Sequence, residues 1–158
     1  TVLSGVSKNN GEAAPFSVLI CFEDVFPGLA REFVLKGARV LINITNDAWY
    51  KETPAPYQHF QASGMRAVEN RVWVGRSANT GISGFISPEG RIISIVTDKT
   101  GKDIFVDGYK IESVEISGRG PTPYTRAGDW FIALCAMIIL AAVCPNMACA
   151  VPCGLRRR

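Results

Sequence analysis

The sequence predicts an α/β fold followed by one membrane-spanning helix, and three observations carry that expectation. Residues 16–21 (FSVLIC) are a continuous run, too short and unbroken for an amphipathic helix and of the length of a buried strand, and residues 38–45 (ARVLINIT) read as a second buried strand. Between them lies a segment of helical period, opened by Pro27 and closed by Gly37. From Trp130 to Leu155 no charged residue occurs, which covers the roughly 20 apolar residues a bilayer core requires.

In the first helix Leu29, Ala30, Phe33 and Val34 form one face and Arg31, Glu32 and Lys36 the other. Strand, helix and strand make a βαβ unit. Its strands are expected to be parallel neighbours with a right-handed crossover and their C-terminal ends on the same sheet edge. There Cys21 and Glu23 leave one strand where Asn46 and Asp47 leave the next. Ligands of open α/β sheets bind at that edge.

Residues 55–70 predict a second helix, with Tyr57, Phe60, Gly64, Ala67 and Val68 at core spacing and Gln58, Gln61, Arg66 and Glu69 largely apart from them. RVWVGRSAN, ISGFIS and RIISIV follow as strands, the last two joined by a turn at Pro88-Glu89-Gly90. YKIESVEIS alternates as a half-exposed strand does. The expected organisation is an α/β region over residues 1–117, a Gly/Pro-rich linker over 118–129, a transmembrane helix over 130–155 and a basic end over 156–158. Trp130 and Phe131 suit one membrane interface. The three terminal arginines suit the cytoplasmic one, which puts the α/β region on the opposite side, the periplasm of a bacterium.

Composition narrows the function classes. With 47% hydrophobic and 20% charged residues the chain is ordered rather than disordered. A net charge of +3, with three positive charges in Arg156, Arg157 and Arg158, offers no basic surface for nucleic acid. The first ten residues lack the basic and apolar regions of a signal peptide. Cys135, Cys144, Cys149 and Cys153 fall in the last 24 residues without metal-site spacing or an accompanying histidine. Structural or lipid-facing thiols are expected there, with disulfides or palmitoylation as the alternatives. No metal motif and no phosphate-binding glycine loop is present, so no metal or cofactor is expected.

Cys21 carries the chemical interest. A thiol is a nucleophile only as an accessible thiolate, which the nearby helix N-terminus favours and the acids Glu23 and Asp24 oppose. On local sequence alone it reads as a buried cysteine at a strand end. His59, the only histidine, is expected on the polar side of its helix, in a surface or loop-contacting role.

LICFED, GARVLINITNDAWY, APYQHFQASGMRAVENRVWVGRSANTGISGFISPEGRI and PTPYTRAGDWF together resemble, in order, successive blocks of the bacterial apolipoprotein N-acyltransferases. These form the membrane-bound branch of the carbon–nitrogen hydrolase (nitrilase) superfamily. The resemblance covers residues 16–131 almost without gaps. It implies part of a nitrilase-like α-β-β-α sandwich, and transfer of an acyl chain from a phospholipid to the α-amine of a diacylglyceryl-cysteine lipoprotein through a thioester. It further implies a location at the bacterial inner membrane, with the catalytic part facing the periplasm.

By the match to LICFED, Cys21 is the implied nucleophile and Glu23 a supporting acid. Phe22 stands where a tyrosine is common, and its backbone N–H is a natural donor to the tetrahedral oxyanion. The match to NDAWY makes Asn46, Asp47 and Trp49 site-lining residues, although Trp49-Tyr50-Lys51 departs from the usual Trp-Phe-Gly. The superfamily's triad also needs a glutamate base and a lysine. No block here matches either, and Lys8 and Glu12 lack the family's flanking residues. The chain is therefore expected to be a piece of such an enzyme, inactive and unstable alone. A non-catalytic membrane-anchored remnant or subunit, and an amidase-type hydrolase, are the other readings.

Overall fold

The computed structural model describes residues 2–6, 13–116, 118 and 120–148. By contact density the chain divides into two compact units, residues 1–126 and 127–158.

The first unit is built on a mixed six-stranded sheet in sequence order: β1 (Leu3–Val6), β2 (Ala13–Ile20), β3 (Val40–Asn46), β4 (Trp73–Asn79), β5 (Gly84–Ile86) and β6 (Ile92–Ile95). The central β2, β3 and β4 are parallel. β1 and the β5–β6 hairpin flank them antiparallel. Helices α1 (Pro27–Leu35) and α2 (Ala55–Asn70) are the two crossovers. Successive right-handed crossovers that step in one direction put both helices on one face, and α1 does pack against α2. The core lies beneath them, formed by Leu19, Ala30, Leu41, Phe60, Ala67, Val74, Ile82 and Ile86. The opposite sheet face is only partly covered, with Ile20 65% and Ile44 52% exposed.

The sequence accounts for most boundaries. Pro27 begins α1, where its missing N–H costs nothing. Gly37, at φ +105°, turns the chain out of it. Register pairs Ile20 with Ile44 and Asn46 with Asn79, so β3 and β4 end level and β2 stops about two residues short of them, at the same sheet edge.

Two expectations are corrected. Residues 109–116 form no strand; alternation makes a strand only where a neighbouring ladder accepts it, and the segment's contact with β4 is a hydrogen bond from Trp73 Nε1 to the Glu115 carbonyl, 2.9 Å. Tyr109 and Ile111 are consequently more than 80% exposed. β1 and the early start of β2 were hidden, because residues 1–15 show too little apolar patterning to mark a hairpin. Lys8 and Glu12 lie outside the described residues.

In the second unit, the helix Trp130–Ala148 is apolar on every side. Its unbroken apolar run, Trp130 to Cys144, ends at Pro145-Asn146. At 1.5 Å per residue that run is about 22 Å long, against a hydrocarbon core of about 30 Å. Among the described residues, no helix is long and apolar enough to cross a membrane. The remainder of the expected span, residues 149–155, lies outside the described residues, as do Cys149, Cys153 and the terminal arginines. Cys135 is a free thiol.

Candidate active site

Cys21 is the first residue after β2 and opens a short 3-10 turn, Cys21–Val25. Its φ of +53° lies in the left-handed region, where a residue with a Cβ is strained and is held only by its surroundings. Two bonds do the holding. Glu23 Oε2 accepts the Ile20 N–H at 2.7 Å across the elbow, and Asn43 Nδ2 donates to the Cys21 carbonyl at 2.9 Å. The thiol is left half-exposed at the end of the sheet.

The surroundings favour its thiolate. A hydrogen bond from the Thr45 side chain lowers the Cys21 pKa most. Burial opposes this, while the backbone N–H groups of Asn46 and Phe22 and the positive field of His59 add to it.

Beneath the elbow lies a buried ionic network that sequence reasoning missed. Asp24 and Asp47 are fully enclosed, and His59 and Arg76 nearly so. His59 bridges the carboxylates, Nε2 to Asp24 Oδ1 at 2.8 Å and Nδ1 to Asp47 Oδ1 at 3.0 Å. Arg76 completes the ring from β4, donating to Asp24 Oδ2 at 2.8 Å and to Asp47 Oδ2 at 2.9 Å. It also donates to Asn43 Oδ1 and Ser63 Oγ, both at 3.0 Å. Ser63 donates to Asp24, and Thr45 Oγ1 donates to Asp47 Oδ1 at 3.1 Å.

Charge balance follows from these distances. Burial would discharge the imidazole, but its hydrogen bonds to Asp24 and Asp47 outweigh burial and raise His59 to about 9. Asp47 is held below the usual carboxylate range, against burial, by His59 and Arg76. Two carboxylates thus face an imidazolium and a guanidinium, the condition under which buried charge is tolerable. Among the described residues no group of side chains is arranged to hold a metal ion; the carboxylates here are already satisfied.

The expected site residues fall into two sets. Cys21, Phe22, Glu23, Asn46 and Asp47 converge at the strand ends. Phe22 stacks on His59, centroids 4.9 Å apart and planes 18° apart, and Tyr50 meets both edge-on. Asn46 Oδ1 accepts from Ala48 N–H and Asn79 Nδ2. Asp47 turns inward to the network rather than lining the surface. Trp49 stands 82% exposed.

His59 is no surface residue, and α2 is rotated from the expected face. It buries His59, Ser63, Arg66 and Asn70 beside Phe60 and Ala67, leaving Tyr57 and Val68 outward. The signal was present: His59, Ser63, Arg66 and Asn70 recur at helical spacing. Arg76, in period-two register with buried Val74 on β4, pointed to the same place.

The carbon–nitrogen hydrolase family profile matches residues 6–108. The chain is 42% identical over 118 residues to an apolipoprotein N-acyltransferase of Geobacter metallireducens, covering 75% of this chain and 21% of that protein. It is 35% identical over 136 residues to apolipoprotein N-acyltransferase 2 of Treponema denticola, covering 86% of this chain and 25% of that one. The chain thus spans a quarter or less of these relatives. A crystal structure from branch 10 of the nitrilase superfamily, from Saccharomyces cerevisiae, is 23% identical, covering 65% of this chain and 37% of that one at a TM-score of 0.47. The strand-end cysteine thus sits within the stretch that the profile matches, and the chain belongs to the carbon–nitrogen hydrolase family.

Proposed function

We propose that this chain is the cysteine-bearing part of a membrane acyltransferase that moves a fatty acyl chain from a phospholipid to the N-terminal amine of a diacylglyceryl-cysteine lipoprotein. The observation that carries the reading is Cys21, a strained strand-end thiol whose hydrogen-bonding partners favour the thiolate, in a chain whose relatives bear that activity in their names.

The Cys21 thiolate attacks the phospholipid's ester carbonyl, and the tetrahedral oxyanion accepts from the Phe22 N–H. Collapse breaks the C–O bond, releasing a lysophospholipid that takes a proton from a general acid and leaving an acyl thioester on Cys21. The lipoprotein amine then attacks the thioester, losing a proton to a general base. Amide forms, the C–S bond breaks and the thiolate returns. The glutamate and lysine that serve these proton and oxyanion roles in the family match no block of this chain, so they are supplied from outside it. Glu23 supports the site by holding the elbow, Asn46 and Trp49 border it, and Asp47 supports it from beneath through the buried network.

The uncharged stretch from Trp130 to Leu155 is read as the attachment to the bacterial inner membrane, with the α/β unit on the periplasmic side. The partly bare sheet face, with Ile20 and Ile44 exposed, is read as the inner layer of an α-β-β-α sandwich, so that the chain alone is neither stable nor active.

The test is intact-mass and peptide mapping of the native protein, extracted from its membranes and incubated with phospholipid vesicles. An acyl adduct on Cys21 that hydroxylamine removes, and that Cys21→Ser abolishes, is expected. A native protein that transfers no acyl group to Cys21 refutes the reading, and leaves a remnant or subunit in its place.

A further inference from the structure

His59 stands at the junction between the buried network and the reactive elbow. Its ring face carries Phe22 at 4.9 Å, the residue whose N–H adjoins the thiol. One ring nitrogen reaches Asp24, three residues beyond Cys21 on the same turn, and the other reaches Asp47 Oδ1. That same oxygen accepts from Thr45 Oγ1 at 3.1 Å. Asp47 Oδ1 therefore joins Thr45 and His59 in one hydrogen-bonded chain, and Thr45 adjoins the Cys21 thiol.

We propose that His59 is a positioning residue for Cys21, fixing the elbow through its stack with Phe22 and its bonds to Asp24 and Asp47. The groups facing the imidazole are Asp24 from the 3-10 turn, Asp47 from the strand end, Arg76 from β4, and Cys21 and Tyr50 above it. Two carboxylates pin the ring from opposite nitrogens, so it cannot turn without breaking a buried ion pair. An imidazolium under an aromatic face adds cation–π attraction to the stack. The inference rests on Cys21 being the reactive thiol of the proposed function.

The test is the rate of Cys21 alkylation by iodoacetamide in the native full-length protein, followed by peptide mass spectrometry from pH 6 to 10. His59→Gln and Phe22→Leu are each expected to slow alkylation at pH 7 by roughly tenfold, the scale of a coupling between neighbouring sites. The double variant is expected to be no slower than about threefold beyond either alone, because both changes break one path. A His59→Gln protein that alkylates within twofold of the parent, or losses that multiply in the double variant, overturns the proposal.

If His59→Gln does not fold, the reciprocal measurement decides. Alkylating Cys21 in the unsubstituted protein removes its negative charge and must lower the titration midpoint of the His59 imidazole, read by nitrogen-15 NMR and assigned through Phe22→Leu. An unmoved midpoint overturns the proposal. Alkylation needs no acyl donor. A protein that forms no acyl thioester yet shows this coupling refutes the proposed function alone, and one that forms the thioester without the coupling refutes this inference alone.

Discussion

Replacing Arg76 with Met keeps an apolar stem of similar length but deletes one positive charge and four hydrogen bonds, two to carboxylates, one to Asn43 and one to Ser63. Both Arg76 and its acidic partners have fully enclosed side chains, so solvent screening gives little relief. The remaining charges are two carboxylates against one imidazolium, which leaves one buried anion without a counter-charge. Breaking a buried pair in this way costs about 3–5 kcal/mol. That is a large share of the roughly 5–15 kcal/mol by which a domain is stable. At about 3 °C per kcal/mol the melting temperature falls by roughly 10–15 °C.

The assay is a thermal melt of the native protein extracted in detergent, with and without the substitution, over pH 5–8. The charge argument also fixes the sign of the pH response. An uncompensated buried carboxylate binds a proton more readily, so the deficit must narrow as the pH falls. Adding Asp47→Asn to Arg76→Met must recover part of it for the same reason. A variant melting within about 3 °C of the parent, which corresponds to roughly 1 kcal/mol, or a deficit indifferent to pH, refutes the four-member network.

Further outcomes follow from the same geometry. His59 titrates at about 9 when folded and at its ordinary 6.5 when unfolded; its contribution, about 3 kcal/mol, is complete below pH 6.5 and lost as pH rises through 9. Melting temperature should therefore fall across that interval, and His59→Gln should flatten the fall. Gly81→Ala places a Cβ 2.2 Å from Asp47 Oδ2 and 2.8 Å from its Cγ, so it should cost about 2–3 kcal/mol in a urea titration while also slowing Cys21 alkylation. Thr45→Val removes the largest influence that lowers the Cys21 pKa; the midpoint of its alkylation profile should move to higher pH, with Gly84→Ala, which clashes with the Ser94 carbonyl at 2.3 Å, as a control that destabilises without that shift.

What the sequence determined by itself is the local scaffold. Continuous apolar runs are short-range signals, so β2, β3 and α1 were legible, as was the convergence of Cys21, Glu23, Asn46 and Asp47 at one sheet edge. Parallel strands joined by right-handed crossovers have no other arrangement available. The blocks around Cys21 likewise named the family, because an ordered set of motifs is a property of the chain and not of its packing.

Tertiary structure decided which polar residues are inside. A charged side chain is buried only if partners from other elements meet it, and those partners lie far apart in sequence: Asp24 and Arg76 are separated by 52 residues, Asp24 and His59 by 35. Each taken alone reads as a surface group, which is why His59 was expected outside and α2 was rotated to an apolar face it does not bury. The alternation in residues 109–116 failed for the complementary reason, since a strand pattern without an adjoining ladder has nothing to pair with. The thiol is legible in the sequence, whereas the buried charges beneath its elbow exist only once three strands and a helix bring four separate residues within hydrogen-bonding distance.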